Sequence, residues 1–172
     1  MSLRDFLEEI ERKNEVLHIH DEISTKFEIS AVIREISDGP AVIFENVKGY
    51  NIRIAANVCG TRDRISAALK TSREGLYAKI SEALKSPVQP EIVDYGPVME
   101  VREKPDLRKI PVLLHFERDA GPYITAAAVS ARGDNGRVEN LSVHRLLVLD
   151  ENHLAIRLVP RHLYKLWSMA RE

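Results

Sequence analysis

The segment Asn140-Leu141-Ser142-Val143-His144-Arg145-Leu146-Leu147-Val148-Leu149 decides how the chain is read. Side chains two apart share a face of a strand, so alternation puts Leu141, Val143, Arg145, Leu147 and Leu149 together. Four aliphatics and one arginine make an unusual set. A guanidinium buried among them is costly unless an anion meets it. Its planar fork is also the side chain best shaped to grip a carboxylate or phosphate. Arg145 therefore asks for an anionic ligand, with an internal ion pair or an outward-turning bulge as the alternatives. The other face begins with Asn140, Ser142 and His144, polar groups that suit the rim of a site.

Outward from this segment the pattern stays β. Tyr123 to Ser130 reads as a strand, followed by a loop at 132–137. Val138 to Leu149 is the next strand. A turn at 150–152 then leads into Leu154 to Val159, which completes a three-strand antiparallel meander. Pro160 fits the first position of a helix carrying Leu163, Leu166, Trp167 and Ala170, with Trp167 read as core. Arg157 on the last strand, and Arg161 and His162 at the helix start, add groups suited to an anion. Such a short sheet leaves an open edge, which predicts association with another chain.

Upstream the character changes. Six of the eight prolines lie between Pro87 and Pro122, so 86–122 reads as an extended connector with short strands. Before it, Ser2 and Asp5 have capping-box spacing ahead of Leu3, Phe6, Leu7 and Ile10, and Asn14 ends that helix. Val16 to Ile19 is a strand. A helix begins near Thr25, carries Ile29, Val32, Ile33 and Ile36, and stops at Asp38-Gly39-Pro40. Ala41 to Phe44 is a continuous apolar run, as in a buried strand. A turn with Gly49 and a strand over 52–58 follow. Thr61 caps a helix with Ile65, Ala68 and Leu69, and another carries Leu76, Ile80, Ala83 and Leu84. The order α-β-α-β-β-α-α argues a small α/β layer domain. The boundary is placed between 103 and 104.

Composition narrows the function classes. The chain has 172 residues, 25 Lys+Arg against 26 Asp+Glu, and 44% hydrophobic residues. That excludes a disordered tail and a polybasic arm, so no nucleic-acid partner is expected. No apolar run reaches the roughly 20 residues of a membrane span, and a cytoplasmic protein is expected. Cys59 stands alone, so no internal disulfide is possible, and it reads as a small buried hydrophobe. His18 and His20 read as an exposed strand edge, and Arg62-Asp63-Arg64 as a solvated face. Dinucleotide, P-loop, zinc-protease and serine-hydrolase motifs are absent.

Five stretches in order resemble the UbiD family of decarboxylases: residues 2–7, 39–47, 116–126, 140–145 and 157–163. The third, Phe116-Glu117-Arg118-Asp119-Ala120-Gly121-Pro122-Tyr123-Ile124-Thr125-Ala126, is the most recognisable. The resemblance implies an α/β (α+β) fold: a small N-terminal α/β layer domain, then the first antiparallel strands of an FMN-binding split β-barrel. It implies a carboxy-lyase acting on an α,β-unsaturated or aromatic carboxylic acid with prenylated FMN. Manganese and potassium would help hold the cofactor phosphate. Carried over by motif, Asn140 and His162 are metal ligands. Val143, His144, Arg145, Arg157, Leu158, Val159, His162 and Leu163 line the cofactor. Arg145 is the catalytic arginine that holds the substrate carboxylate. A flavin prenyltransferase would supply the cofactor, and a homo-oligomer is expected.

Two consequences are open. Asn140 and Arg145 lie roughly 16 Å apart on an extended strand, which suits a long cofactor, but parity puts them on opposite faces. A bulge or strong twist between them is expected. The family chain is also much longer, and its metal-binding glutamate, catalytic glutamate and catalytic aspartate come from later sequence. Glu139 and Glu151 match none of these. The chain alone is therefore expected to be inactive, as part of a truncated or longer decarboxylase. The alternative is a natural short protein, a cofactor-binding or assembly subunit that completes its barrel with a partner chain.

Overall fold

In the computed structural model, residues 2–89, 91–133 and 139–171 are described. The chain divides into two compact units: Met1–Ile23 with Val32–Lys104, and Ser24–Ala31 with Pro105–Glu172.

The first unit follows the expected element order. Helix α1 (Leu3–Glu11) starts with the reciprocal capping box: Asp5 N donates to Ser2 Oγ at 3.2 Å, and Ser2 N donates to Asp5 Oδ2 at 2.8 Å. Strand β1 (Val16–Ile19) pairs in parallel with β2 (Ala41–Phe44), which pairs antiparallel with β3 (Ile54–Ala56). Phe6 and Ile10 of α1 pack on Ala41, flanked by Val16, Val58, Ala67 and Ala68. All of β2 is buried, as its unbroken apolar run predicts.

Helix α2 (Glu28–Ile36) begins three residues later than expected. The backbone at Thr25–Phe27 is committed elsewhere: Leu114 N donates to Thr25 O, and Phe27 N donates to Leu114 O. Strand β3 is likewise shorter than 52–58. Helices α3 (Arg62–Ala68) and α4 (Leu76–Lys85) follow, with Thr61 capping α3. Two single-residue readings are corrected. Cys59 is exposed rather than buried. Arg64 is buried at 4% exposure, because its guanidinium donates to the carbonyls of Gly39, Asn57 and Val58 at 2.8–3.2 Å. Arginine is tolerated inside when its donors are all met.

The proline-rich connector holds short 3₁₀ turns at Pro97–Met99 and Leu107–Lys109. In place of the expected short strands there are single bridges, at Leu113 with Tyr123 and at Leu114 with Lys26.

In the second unit, β4 (Tyr123–Arg132), β5 (Glu139–Val148) and β6 (Leu154–Ile156) form the antiparallel meander. Most of the 132–137 loop lies outside the described residues. Strand β6 ends at Ile156 instead of Val159. Helix α5 (His162–Met169) begins two residues after Pro160, with Arg161 as its N-cap. Leu166 is its buried residue, whereas Trp167 is half-exposed. Its indole packs instead against Tyr164 and beneath the Arg171 guanidinium.

Candidate functional site

Strand β5 alternates without a break: Asn140, Ser142 and His144 are half-buried, while Leu141, Val143 and Arg145 are exposed. The expected face is therefore present but points outward. Arg145 is not buried among aliphatics, and Leu141 and Val143 are 75% and 76% exposed. The expected bulge is also elsewhere. Ile124 pairs Leu146 and Ala127 pairs His144, so Thr125 and Ala126 of β4 together oppose Arg145.

The parity problem is resolved at the strand edge. β6 pairs β5 only at Leu146–Val148, and β5 residues before Leu146 have β4 as their one neighbour among the described strands. Leu149 N donates to His153 O, so by alternation the backbone groups of Leu141, Val143 and Arg145 face the open edge. A cleft of about 300 Å³ runs there, lined by the consecutive residues 140–144 together with Leu158, Val159, Arg161, His162 and Leu163. Consecutive strand residues can share a cleft only along an edge, where both faces meet.

The structure thus brings Asn140, Val143, His144, Leu158, Val159, His162 and Leu163 to one place. Within it, Asn140 Nδ2 donates to Ser142 Oγ at 3.0 Å, and Ser142 Oγ lies 2.9 Å from His144 Nε2. An accepting serine hydroxyl has its own proton to give, which makes His144 Nε2 the acceptor and His144 neutral. Asn140 Oδ1 stands outside this chain of bonds among the described residues.

Arg145 and Arg157 lie together in a second, larger cleft of about 590 Å³, with His115, Phe116, Asp119, Tyr123, Thr125 and Leu147. No lining residue is common to the two clefts. His115, Asp119, Tyr123 and Thr125 carried no role in the sequence reading. Their signal was present in the recognised stretch 116–126, which the β4 bulge and the turn at Phe116–Asp119 place beside Arg145.

The donor sets can be tested against what the resemblance implies. The edge cleft offers neutral Asn, Ser and His with cationic Arg161, and no carboxylate, which fits a phosphate. Among the described residues no group of three or more His, Cys, Asp or Glu could hold a metal. This chain thus offers a cation two neutral donors, Asn140 and His162, and the remaining charge would have to come from the phosphate.

Comparison with known proteins supplies the family. The 3-octaprenyl-4-hydroxybenzoate carboxy-lyase N-terminal domain matches residues 7–84, and the Rift-related domain of the same enzyme family matches residues 91–172. The chain belongs to the UbiD family. It is 37% identical, over 99% of its length, to the anhydromevalonate phosphate decarboxylase of Methanothermobacter thermautotrophicus, of which it covers 39%. The UbiD-class enzyme HmfF from Pelotomaculum thermopropionicum, solved with FMN, superposes at a TM-score of 0.94 with 36% identity, over 99% of this chain and 39% of HmfF. An evolved dimeric HmfF with prFMN superposes at 0.93 with 37% identity, over 98% of this chain and 41% of that one. The chain spans about two-fifths of the length of these relatives. The expected α+β fold is confirmed. No described helix is long and apolar enough to cross a membrane.

Proposed function

We propose that this chain forms the cofactor-facing part of a carboxy-lyase that works on an α,β-unsaturated or aromatic carboxylic acid with prenylated FMN. The observation that carries this reading is the open edge of β5. There the carried-over residues line one cleft, and Arg145 with Arg157 begins the next. A long ligand lying along the edge has its phosphate end at Asn140, His144, Arg161 and His162. Its other end reaches the cleft of the two arginines.

When bound, prenylated FMN supplies the electron sink for the pair left behind as carbon dioxide departs. The chain's own residues bind and orient. Arg145 holds the departing carboxylate in a bidentate grip, and Thr125 and Tyr123 wall the cleft beside it. The carboxylate of Asp119 accepts from Phe116 N at 3.0 Å and is not placed as a proton donor. We therefore expect the 172-residue chain alone to turn over no unsaturated acid. Manganese and potassium at the phosphate, a flavin prenyltransferase as supplier, a homo-oligomer and a cytoplasmic setting complete the reading. The relatives' name suggests a phosphorylated acid as substrate.

The test is FMN titration of the chain by fluorescence. Asn140→Ala with Arg145→Ala should weaken FMN at least about tenfold with the melting temperature unchanged. Equal binding by the double variant overturns the site. A second reading, a binding or assembly subunit, is favoured by the exposure of Leu141 and Val143, and predicts a partner chain that co-purifies.

A further inference from the structure

The two arginines of the larger cleft are exposed, so water can satisfy them and they do not by themselves require a ligand. His115 differs. Its Nε2 is shut off from solvent and has no hydrogen-bond partner among the described residues. Its imidazole lines the same cleft as Arg145 and Arg157. A buried polar atom without a partner costs free energy and calls for an explanation.

The backbone around His115 is over-determined. Leu113 O accepts from Tyr123 N at 2.9 Å on one side, and Leu114 exchanges hydrogen bonds with Thr25 and Phe27 on the other. The Ser30 hydroxyl lies 2.9 Å from His115 O. Phe116 and Asp119 close a turn through Phe116 N to Asp119 Oδ2 at 3.0 Å. The ring is thus carried on a fixed segment while one of its nitrogens goes unused. Held positions with unmet polar groups are expected where a ligand completes them.

We propose that His115 is a ligand-contacting residue: its Nε2 donates a hydrogen bond to an acceptor oxygen of the anionic ligand that enters between Arg145 and Arg157. This rests on the reading above, that the cleft takes part of a flavin or its acid substrate. Both sources offer the same chemistry, a carbonyl oxygen of the flavin ring or an oxygen of the carboxylate. Because Nε2 is closed to water, the contact marks the end of the ligand that goes deepest.

His115→Phe separates a binding role from a structural one. Phenylalanine keeps a ring of similar size and removes the unpartnered nitrogen. It should therefore melt at or above the wild-type temperature, while His115→Gln, which keeps a side-chain N–H, should bind better than His115→Phe. The probes are FMN, titrated into each full chain, and crotonate, titrated into each FMN-loaded chain. FMN weakened roughly tenfold by His115→Phe assigns the contact to the flavin. Unchanged FMN with crotonate weakened to that extent assigns it to the acid. If FMN affinity is unchanged and crotonate either binds both chains alike or binds neither, the inference falls while the proposed function stands. A clear drop in melting temperature, or failure to fold, means Nε2 has a structural partner and also overturns it. If wild-type chain binds no FMN while remaining folded, the proposed function fails and takes this inference with it.

Discussion

β2 and β5 occupy the same place, the middle of a three-stranded sheet, and share little else. Every residue of β2 is buried, whereas β5 exposes alternate residues along most of its length. A central position satisfies backbone hydrogen bonds on both edges, but it covers neither face. Faces are covered by a second layer. In the first unit α1 provides one, through Phe6 and Ile10 on Ala41. In the second unit, α5 buries Leu166, and the face carrying Leu141 and Val143 stays open. One strand belongs to a core. The other presents a working surface and an unpaired edge.

The comparison breaks first at Phe44. It is fully buried in β2, and Phe44→Ala should cost about 3–5 kcal/mol in urea denaturation. A cost below about 1 kcal/mol would mean that β2 is not the core strand its burial indicates. Next comes Arg64, whose loss strands the carbonyls of Gly39, Asn57 and Val58. Arg64→Met keeps the stem and should still cost about 2–3 kcal/mol. An unchanged midpoint would mean that water replaces the guanidinium at all three oxygens.

Much of this division could be read in the sequence, for reasons that differ by element. Ala41 to Phe44 has no polar residue to face water, so burial on both sides follows from the run itself. Ser2 and Asp5 announce α1 because a capping box is a local hydrogen-bond exchange. The cleft residues were found by their resemblance to a family, and the structure gathers most of them along one edge. What failed was non-local. Strict alternation in β5 establishes two faces but not which of them is covered, so Arg145 was placed inside and stands outside. Arg64 looked solvated because its partners are carbonyls from Gly39 to Val58, whose approach no spacing encodes. His115 drew no notice, since a lone histidine has no pattern and its buried nitrogen exists only in three dimensions.

A smaller effect sharpens the first unit's side of the comparison. His18 on β1, an edge strand, lies 2.7 Å from Glu45 and 2.9 Å from Glu11. The hydrogen bond to Glu45 is the main cause raising the His18 pKa above its ordinary 6.5. The same bond is the main cause holding Glu45 below 4.5. The His18 contribution is complete below pH 6.5 and fades as pH rises through its raised value. The Glu45 contribution is present above pH 4.5 and fades as pH falls through its lowered value. The clamp is therefore strongest between those limits. Its part-exposed geometry keeps the effect within about 1 kcal/mol. His18→Ala should flatten the fall in melting temperature between neutral and mildly alkaline pH. A slope that persists in the variant would move the effect to another group.

The smallest expected effect is the most telling about β5. Leu141 and Val143 are as apolar as the β2 residues, yet they lie about three-quarters exposed. Truncating an exposed side chain recovers no cavity and loses little burial, so Leu141→Ala should shift stability by no more than about 0.5 kcal/mol. Its near-silence beside Phe44→Ala would show that the two central strands differ in cover and not in composition. The same variant measured across a range of protein concentrations gives the contrast its sharper form. If Leu141→Ala becomes destabilising only as concentration rises, the open face of β5 is being covered by a second copy of the chain, because only association makes stability depend on concentration in this way. A concentration-independent loss as large as that of Phe44→Ala would instead place Leu141 in a core within the single chain, and the distinction between the two sheets would fall.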